Sequence, residues 1–202
     1  MERPPSILLS EEEIREIGFA SVGKEVRITR HALFFNPSKI YIGHRVRIDA
    51  FAIISAGEEG IYIGNNVHIA AGAILNGTGG RITMSDFSGV APYGCLWTAS
   101  EDYTGGSLTN PTVPPRFRNQ DKGPIYLGRH VIIGTSSVIL PGVRLGDGAA
   151  VGALSLVRRD VGEGEVVFGV PARVVTIRPL DRLEQLAREY LESIGELPPS
   201  DT

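Results

Sequence analysis

The feature that most constrains this chain is a period of six residues in its aliphatic side chains. The period is unbroken over one stretch: Leu127, Ile133, Ile139, Leu145, Val151 and Val157. An α-helix repeats every 3.6 residues and a strand alternates every two, so neither element alone produces a period of six. Short strands joined by tight corners do produce it, and glycine directly follows four of these positions.

The same spacing extends towards the N-terminus in groups of three. The groups are Val22, Ile28 and Phe34; Ile42, Ile48 and Ile54; Ile63, Ile69 and Leu75; and Met84, Val90 and Leu96. Three hexapeptides make one triangular coil, and stacked coils form a solenoid. The sequence therefore predicts an all-β chain, a parallel β-helix of about six triangular coils, four before an interruption and two after it. A β-sandwich is the alternative, but its strands would be irregularly spaced.

Composition narrows the class of protein. With 202 residues, 42% of them hydrophobic, and a net charge of -3, the chain is expected to form one globular domain. No run of Lys and Arg lies on a predicted helix, which argues against nucleic acid as a partner. No apolar run reaches the roughly 18 residues of a membrane span, and the N-terminal residues do not resemble a secretory signal. Cys95 is the single cysteine, so a reducing compartment, the cytoplasm, is expected.

The predicted organisation has three parts. Residues 1–20 form an N-terminal capping segment, in which Ser10 and Glu13 are spaced as a capping box that opens a short helix. Residues 21–165 form the β-helix, with a loop at 97–124. Residues 166–202 form a C-terminal extension with an amphipathic helix that begins near Asp181, and the tail LPPSDT is expected to be disordered.

The stretch IGTSSVILPGVRLGDGAAVGALSLVRRDV, followed by GVPARVV, resembles the C-terminal coils of the hexapeptide-repeat acyltransferases. The chain is similar in style to sugar O-acetyltransferases and to sugar-nucleotide N-acetyltransferases of surface-polysaccharide synthesis. The similar region runs from about Ile42 to Val175. The resemblance implies a left-handed helix, against the usual right-handed rule for crossover connections. It also implies a homotrimer and acetyl-CoA as donor, bound between adjacent subunits.

The resemblance also places the donor site. The backbone amides at Thr135 and Ala153 would bind the pantetheine arm, much as an added strand is bound. Arg158 and Arg159 stand where the family has a Thr-Lys pair, and could hold the phosphates of CoA through their guanidinium groups. Two further residues of GVPARVV would lie at the adenine end, namely Pro171 and Arg173. The alternative is that Arg158 and Arg159 are only solvated corner residues.

The interruption of the repeat departs from the family pattern. Related O-acetyltransferases have a histidine here, whereas this chain reads TASED at residues 98–102, which places Glu101 or Asp102 at that position. The asparagine expected one coil earlier is also absent, because Ala71 lies there. A carboxylate has an ordinary pKa near 4 and is a weak base for a hydroxyl group. It can orient an amine, which is nucleophilic once neutral, so these two predicted catalytic residues favour an amino sugar as acceptor.

His68 is the rival catalytic base. It precedes the inward Ile69, so its side chain points outward, on the coil just below the one that carries the interruption, where a neighbouring subunit could meet it. If it reaches the acceptor, a hydroxyl acceptor becomes plausible again. His31, His44 and His130 are expected to be structural or exposed. The four histidines lack the close spacing of a zinc site, so no metal is expected.

The segment 103–123 is long and does not continue the hexapeptide repeat. Loops of this length in compact domains are often functional. Asn110, Arg116 and Arg118 are the predicted substrate-binding residues, with an arginine facing the diphosphate of a nucleotide sugar. A plain contact between subunits is the alternative.

Three functions follow from these patterns. The first is an acetyl-CoA-dependent acyltransferase that N-acetylates an amino sugar, in nucleotide-linked form. The second is a sugar O-acetyltransferase that uses His68 as base. The third is a β-helix without catalytic activity that serves as a scaffold.

Overall fold

The computed structural model describes residues 7–197 and shows a left-handed parallel β-helix. Part of the predicted capping segment, residues 1–6, and most of the predicted disordered tail, residues 198–202, lie outside the described residues. Three parallel sheets form the sides of a triangular prism. The six complete coils predicted from the sequence are present, and a partial seventh follows them.

The first sheet contains β1 (Ser21–Val22), β4 (Ile40–Ile42), β7 (Ile61–Ile63), β10 (Ile82–Met84), β15 (Ile125–Leu127) and β18 (Arg144–Leu145). The second contains β2 (Arg27–Ile28), β5 (Arg47–Ile48), β8 (His68–Ile69), β11 (Gly89–Val90), β16 (Ile132–Ile133), β19 (Ala150–Val151), β21 (Glu165–Gly169) and β22 (Ala172–Ile177). The third contains β3 (Leu33–Phe35), β6 (Ile53–Ala56), β9 (Ile74–Gly77), β12 (Cys95–Trp97), β17 (Val138–Ile139) and β20 (Leu156–Val157). We call the edges where the chain passes between sheets the 1/2, 2/3 and 3/1 corners.

The residues at the six-residue period form the core. Ile28, Ile48, Ile69, Val90, Ile133 and Val151 follow one another up the second sheet in parallel register and are almost fully buried. Each coil therefore buries one aliphatic side chain per sheet against the coils above and below it. This burial removes apolar surface from water along the whole axis of the prism, which is the main force that stabilises it.

The close approach of successive coils at the corners between sheets requires glycine at several positions. At Gly134, a Cβ atom would lie 2.5 Å from the backbone nitrogen of Ala153 in the next coil, so only glycine allows the two coils to approach. At Gly72, φ is +68° and a Cβ atom would lie 2.5 Å from the ring of Tyr93. The tyrosine ring thus covers the corner of the preceding coil.

Short elements lie against the prism near both ends of the described chain. Helix α1 (Glu11–Glu16) begins with the capping box that the sequence predicts: the Glu13 amide donates to the Ser10 side chain, and the Ser10 amide donates to the Glu13 carboxylate. Near the C-terminal end, β21 pairs antiparallel with β22. Two 3-10 helices, Pro37–Lys39 and Pro115–Phe117, complete the assigned helices of residues 7–197 together with α2 (Asp181–Ser193).

Helix α2 packs along the 1/2 corner. Near its N-terminus Glu184 lies 3.3 Å from His130, and further along the Tyr190 hydroxyl donates to Asn66 at 3.2 Å. Beyond the helix, Glu196 forms a two-pronged ion pair with Arg45 at 2.6 and 2.8 Å. The helix therefore spans the coils between His130 and Arg45, and holds them together from outside.

The partly buried His130 under this helix is expected to make the stability of the fold sensitive to acid. Burial lowers the pKa of His130, although Glu184 opposes the shift. The unfolded chain therefore takes up this proton more readily than the folded one, and stability is lost as the pH falls below the ordinary histidine pKa of about 6.5. We expect the melting temperature to fall between about pH 7.5 and about pH 5.5 by more in the wild type than in His130→Asn.

Asparagine is the matched replacement, because Asn66 occupies the equivalent corner position with the same left-handed backbone conformation. Differential scanning calorimetry over this pH range provides the comparison. Equal pH dependence in both proteins would show that His130 is not the acid-sensitive group.

One outward row of the third sheet is apolar. Along the edge next to the 2/3 corner, six aligned side chains form what we call the apolar row: Leu33, Ile53, Ile74, Cys95, Val138 and Leu156. At the corner itself Phe51, Tyr93 and Leu154 are 65%, 63% and 72% exposed. Contiguous apolar surface of this kind marks an interaction site.

Candidate active site

The predicted pantetheine-binding residues lie in successive coils at the 2/3 corner. The Leu154 amide donates to the Thr135 carbonyl at 2.9 Å, which stacks one corner on the other. Among the described residues, the amides of Thr135 and Ala153 donate no hydrogen bond. Two backbone donors are therefore free at adjacent coils on one edge of the prism, the arrangement that an extended ligand requires.

The two predicted phosphate-binding arginines line one cavity together with Arg173, which the sequence places at the adenine end. Arg158, Arg159 and Arg173 line a space of about 230 Å³ at the C-terminal end of the prism, between the last full coil and β22. Pro171 lies in the turn between β21 and β22, two residues before Arg173. Asp160 and Glu165 also line this space. Three guanidinium groups in one place can hold an anionic group with several oxygens.

The interruption of the repeat is a hairpin at the 3/1 corner. Strand β13 (Ala99–Glu101) pairs antiparallel with β14 (Gln120–Lys122), and the residues between them form the rest of the loop. Thr98 anchors its base: its hydroxyl donates to the Asn76 carbonyl at 2.7 Å and accepts from the Gly79 amide at 2.9 Å. The loop predicted at 97–124 therefore contains its own two-stranded sheet.

Glu101 is bound within this hairpin. Arg118 donates to its Oε1 at 2.7 Å and Gln120 donates to the same oxygen at 2.8 Å. The hydrogen bond from Arg118, and next that from Gln120, hold the pKa of the Glu101 carboxyl below its ordinary value. Its Oε2 and the Arg118 Nε are both buried and have no hydrogen-bond partner among the described residues. One carboxylate oxygen thus remains for a donor that the described chain does not supply.

The neighbouring Asp102 is turned into the loop. It accepts from the Thr104 hydroxyl at 2.6 Å and amide at 2.7 Å, and from the Ser107 hydroxyl at 3.1 Å. The hydrogen bonds from Thr104 lower the pKa of the Asp102 carboxyl. The Asn110 side chain is engaged in the same way, by the amide and hydroxyl of Thr112. Both side chains therefore shape the loop in this structure.

The arginines of the loop flank a second space. Arg116 and Arg118 line a cavity of about 560 Å³ together with the glycines 105 and 106. Arg116 lies over the ring of Phe117, 4.6 Å from its centroid, while Arg118 is held by Glu101. The structure brings these predicted residues together and also shows that Arg118 already has a carboxylate partner.

His68 lies elsewhere, on the outward side of the second sheet. Its Nε2 is 2.8 Å from Asp49 Oδ2, and Arg47 donates to Asp49 Oδ1 at 2.7 Å. Burial would raise the pKa of Asp49, but the hydrogen bonds from Arg47 and His68 bring it below its ordinary value. The sequence reasoning missed Asp49. The register of the repeat could have identified it. Arg47 pairs directly with His68 in the neighbouring strand, and Asp49 is two residues from Arg47.

The three other histidines make contacts within the fold. His31 stacks on Phe51, His44 Nδ1 accepts from the Lys24 amide at 2.9 Å, and His130 stacks on Phe87. Among residues 7–197 no group of three or more side chains of the kinds that bind metals is found. Within the same residues, no helix is long and apolar enough to cross a membrane.

Comparison with known proteins gives consistent matches. A family model described as the hexapeptide repeat of succinyl-transferase matches residues 40–76 and 124–153. The chain is 40% identical over 176 residues to the dTDP-4-amino-4,6-dideoxy-D-glucose acyltransferase of Escherichia coli, which covers 87% of this chain and 91% of that protein.

Solved structures of AntD, an N-acyltransferase from Bacillus cereus, are also similar. Its complex with dTDP and 3-hydroxybutyryl-CoA is 37% identical, with a TM-score of 0.88, and covers 95% of this chain and 100% of that one. A serine-to-alanine variant, in complex with dTDP-4-amino-4,6-dideoxyglucose and coenzyme A, is 40% identical with a TM-score of 0.87, covering 92% and 98%.

Proposed function

Because this chain belongs to the hexapeptide-repeat acyltransferases, we propose that it transfers an acyl group from acyl-CoA to the amine of a nucleotide-linked amino sugar. The observation that carries the proposal is the hairpin at the interruption, which presents carboxylates and arginines where a histidine was expected. The relatives from E. coli and B. cereus, one named for and one complexed with a dTDP-linked 4-amino sugar, support dTDP-4-amino-4,6-dideoxyglucose as the first acceptor to try. Surface-polysaccharide synthesis is the pathway class we assign.

We assign the binding site of the acyl donor to the 2/3 corner. The free amides of Thr135 and Ala153 bind the pantetheine arm, and Arg158, Arg159 and Arg173 bind the phosphates, with Pro171 shaping the adenine end. The AntD complex contains 3-hydroxybutyryl-CoA, so the proposal includes acyl groups other than acetyl. Acetyl-CoA and 3-hydroxybutyryl-CoA should both be assayed.

We assign the binding site of the acceptor sugar to the hairpin. In this proposal Arg116 and Arg118 face the diphosphate, and Glu101 and Asp102 orient the amine, with Asn110 at the edge of the site. For Arg118 to bind phosphate it must share its charge with Glu101 or release it. Phosphate oxygens accept charge-assisted hydrogen bonds as strongly as carboxylates do, so Arg118 can replace its carboxylate partner by a phosphate without losing hydrogen-bond strength.

We propose a homotrimer in the cytoplasm. The apolar row and the three exposed residues of the 2/3 corner would be covered by a neighbouring copy that presents a different edge of its prism, a head-to-tail contact that closes into a ring of three. The single cysteine is consistent with a reducing compartment.

The function is tested by following thiol release from acyl-CoA with a panel of acceptors. The panel contains the dTDP-linked 4-amino sugar, the free amino sugar and a sugar with only hydroxyl groups. The proposal expects turnover with the first and little with the last. Turnover on hydroxyl acceptors alone would support the O-acetyltransferase alternative, and no binding of acyl-CoA would support the scaffold.

The donor assignment predicts a selective effect on KM. Removing one charge-assisted hydrogen bond costs about 1.5–3 kcal/mol, so Arg158→Ala, Arg159→Ala and Arg173→Ala should each raise the KM for acyl-CoA by roughly 10-fold or more. The KM for the sugar should not change. Arg182→Ala, an exposed arginine on α2, is the matched control.

Steady-state kinetics with acyl-dephospho-CoA, which lacks the 3′-phosphate, identifies the arginine that contacts this phosphate. The variant that loses the contact to the 3′-phosphate should show no further defect with this donor. If none of the three variants changes the KM for acyl-CoA, the cavity at the C-terminal end does not bind the donor phosphates.

A further inference from the structure

Two buried serines close the corners of the proposed donor site. Ser137 and Ser155 are 0% and 2% exposed, and they are the last residues of the 2/3 corners that contain Thr135 and Ala153. In the earlier coils the backbone pairing places residues without a hydroxyl group at the equivalent position: Ala32, Ala52, Ala73 and Gly94. Within the described chain, a hydroxyl at this position therefore coincides with the two corners whose amides are free.

The Ser137 hydroxyl enters the corner of the next coil, residues 152–155. It donates to the Gly152 carbonyl at 2.7 Å and accepts from the Ser155 amide at 3.1 Å. In the other described 2/3 corners the last amide donates directly to the first carbonyl, as Ala73 does to Ala70 at 3.1 Å. The corner that contains Ala153 is thus bridged by a side chain where the others close on their own backbone.

This bridge determines the direction of the free amide of Ala153. The Gly152 carbonyl and the Ala153 N–H belong to one planar trans peptide unit, so they point in opposite directions. Because the carbonyl is directed at the buried Ser137, the N–H is directed outward, to the edge where the pantetheine arm is proposed to lie. A carbonyl that accepts a hydrogen bond also polarises its peptide unit, which strengthens the N–H as a donor.

The rest of this corner is held by contacts that do not involve Ser137. The Gly152 amide donates to the Val167 carbonyl at 2.8 Å, and the Leu154 amide donates to the Thr135 carbonyl at 2.9 Å. Both contacts remain when the hydroxyl is removed. Its removal should therefore let the corner close on its own backbone and turn one peptide unit, while the coil stays folded.

We propose that Ser137 is a positioning residue for the acyl donor, whose hydroxyl sets the peptide unit between Gly152 and Ala153 so that the Ala153 amide binds the pantetheine arm. This inference rests on the proposed function, because it needs the donor at the 2/3 corner. It gives a residue of the buried core a part in donor binding without any contact between that residue and the donor.

Calorimetric titration with two ligands separates the pantetheine arm from the phosphate end of the donor. CoA contains both parts, whereas adenosine 3′,5′-bisphosphate contains the adenine and phosphates without the arm. Ser137→Ala should weaken CoA binding about 3- to 10-fold, the effect of one hydrogen bond, and leave binding of the bisphosphate unchanged. The KM for acyl-CoA should rise by the same factor, with kcat and the KM for the sugar unchanged. Arg158→Ala, in contrast, should weaken the binding of both ligands.

A second variant and a control keep the result interpretable. Ser137→Cys has nearly the same volume and replaces the hydroxyl by a weak donor, so it should also weaken CoA binding, without leaving a cavity. Ser88→Ala is the matched control, because Ser88 is also 2% exposed and its hydroxyl has no hydrogen-bond partner among the described residues. It should bind both ligands as the wild type does. Thermal melting verifies that each variant is folded.

The outcomes separate this inference from the proposed function. Equal affinity for CoA in the wild type and in the folded Ser137 variants would overturn the role of Ser137 and leave the function intact. An equal loss of affinity for CoA and for the bisphosphate would also overturn it, because the serine would then support the whole end of the prism. No binding of CoA to the wild type would instead refute the proposed function itself.

Discussion

Replacing Val138 by Glu is expected to give a folded monomer that has lost nearly all acyl transfer. Val138 lies in the apolar row, between Cys95 and Leu156. A carboxylate there would have to be buried without a partner at the proposed interface, which costs several kcal/mol for each copy. The proposed donor site lies at the 2/3 corner, next to the apolar row, so activity should fall together with the trimer.

Sedimentation equilibrium and thiol release measure the two effects. The wild type should sediment at three times the chain mass of 21.7 kDa, and the variant at the chain mass. Thr83→Glu makes a similar change on the first sheet, opposite the apolar row, and should stay trimeric and active. A trimeric, active Val138→Glu protein would show that the third sheet is not the interface.

Glu101→Gln is expected to produce the second large effect. The substitution keeps the shape of the side chain but removes the charge that pairs with Arg118, and leaves that arginine without its anion. Loss of an electrostatic contact that orients the reacting group costs on the order of 10²–10³ in kcat. The KM for acyl-CoA should remain unchanged, because the donor is bound at the 2/3 corner.

Asp121→Asn provides the matched control. It makes the corresponding charge change on the other strand of the hairpin, at an exposed position opposite Ser100. It should leave kcat within about twofold of the wild type, as surface substitutions away from a site usually do. If Asp121→Asn lowers kcat as much as Glu101→Gln does, the effect of Glu101→Gln comes from the stability of the hairpin and not from the site.

The repeat made most of the fold predictable. Each inward residue such as Ile69 has equivalent neighbours six positions away, so the sequence encodes both the strand and its register. The capping box at Ser10 and the helix that begins at Asp181 were predictable because they depend on local patterns. The partial seventh coil was not anticipated, since β21 continues directly into the antiparallel strand β22.

The site was less predictable because it departs from the repeat. Sequence reasoning identified Glu101 and Arg118 separately, but not their ion pair, which forms only because β13 and β14 bring residues 17 positions apart together. Asp49 was missed for a related reason. Its contact with His68 crosses from one coil to the next, and a periodic reading draws attention to inward positions and not to the outward ones between them.

The central claim is that an amine on a nucleotide-linked sugar receives the acyl group. It is tested most directly by offering the enzyme dTDP-4-amino-4,6-dideoxyglucose and its 4-hydroxyl analogue together, with one acyl-CoA, and identifying the products by mass spectrometry. The account predicts an amide on the amino sugar, with the hydroxyl analogue recovered unchanged. An ester on the hydroxyl analogue, with the amino sugar left unmodified, would contradict it.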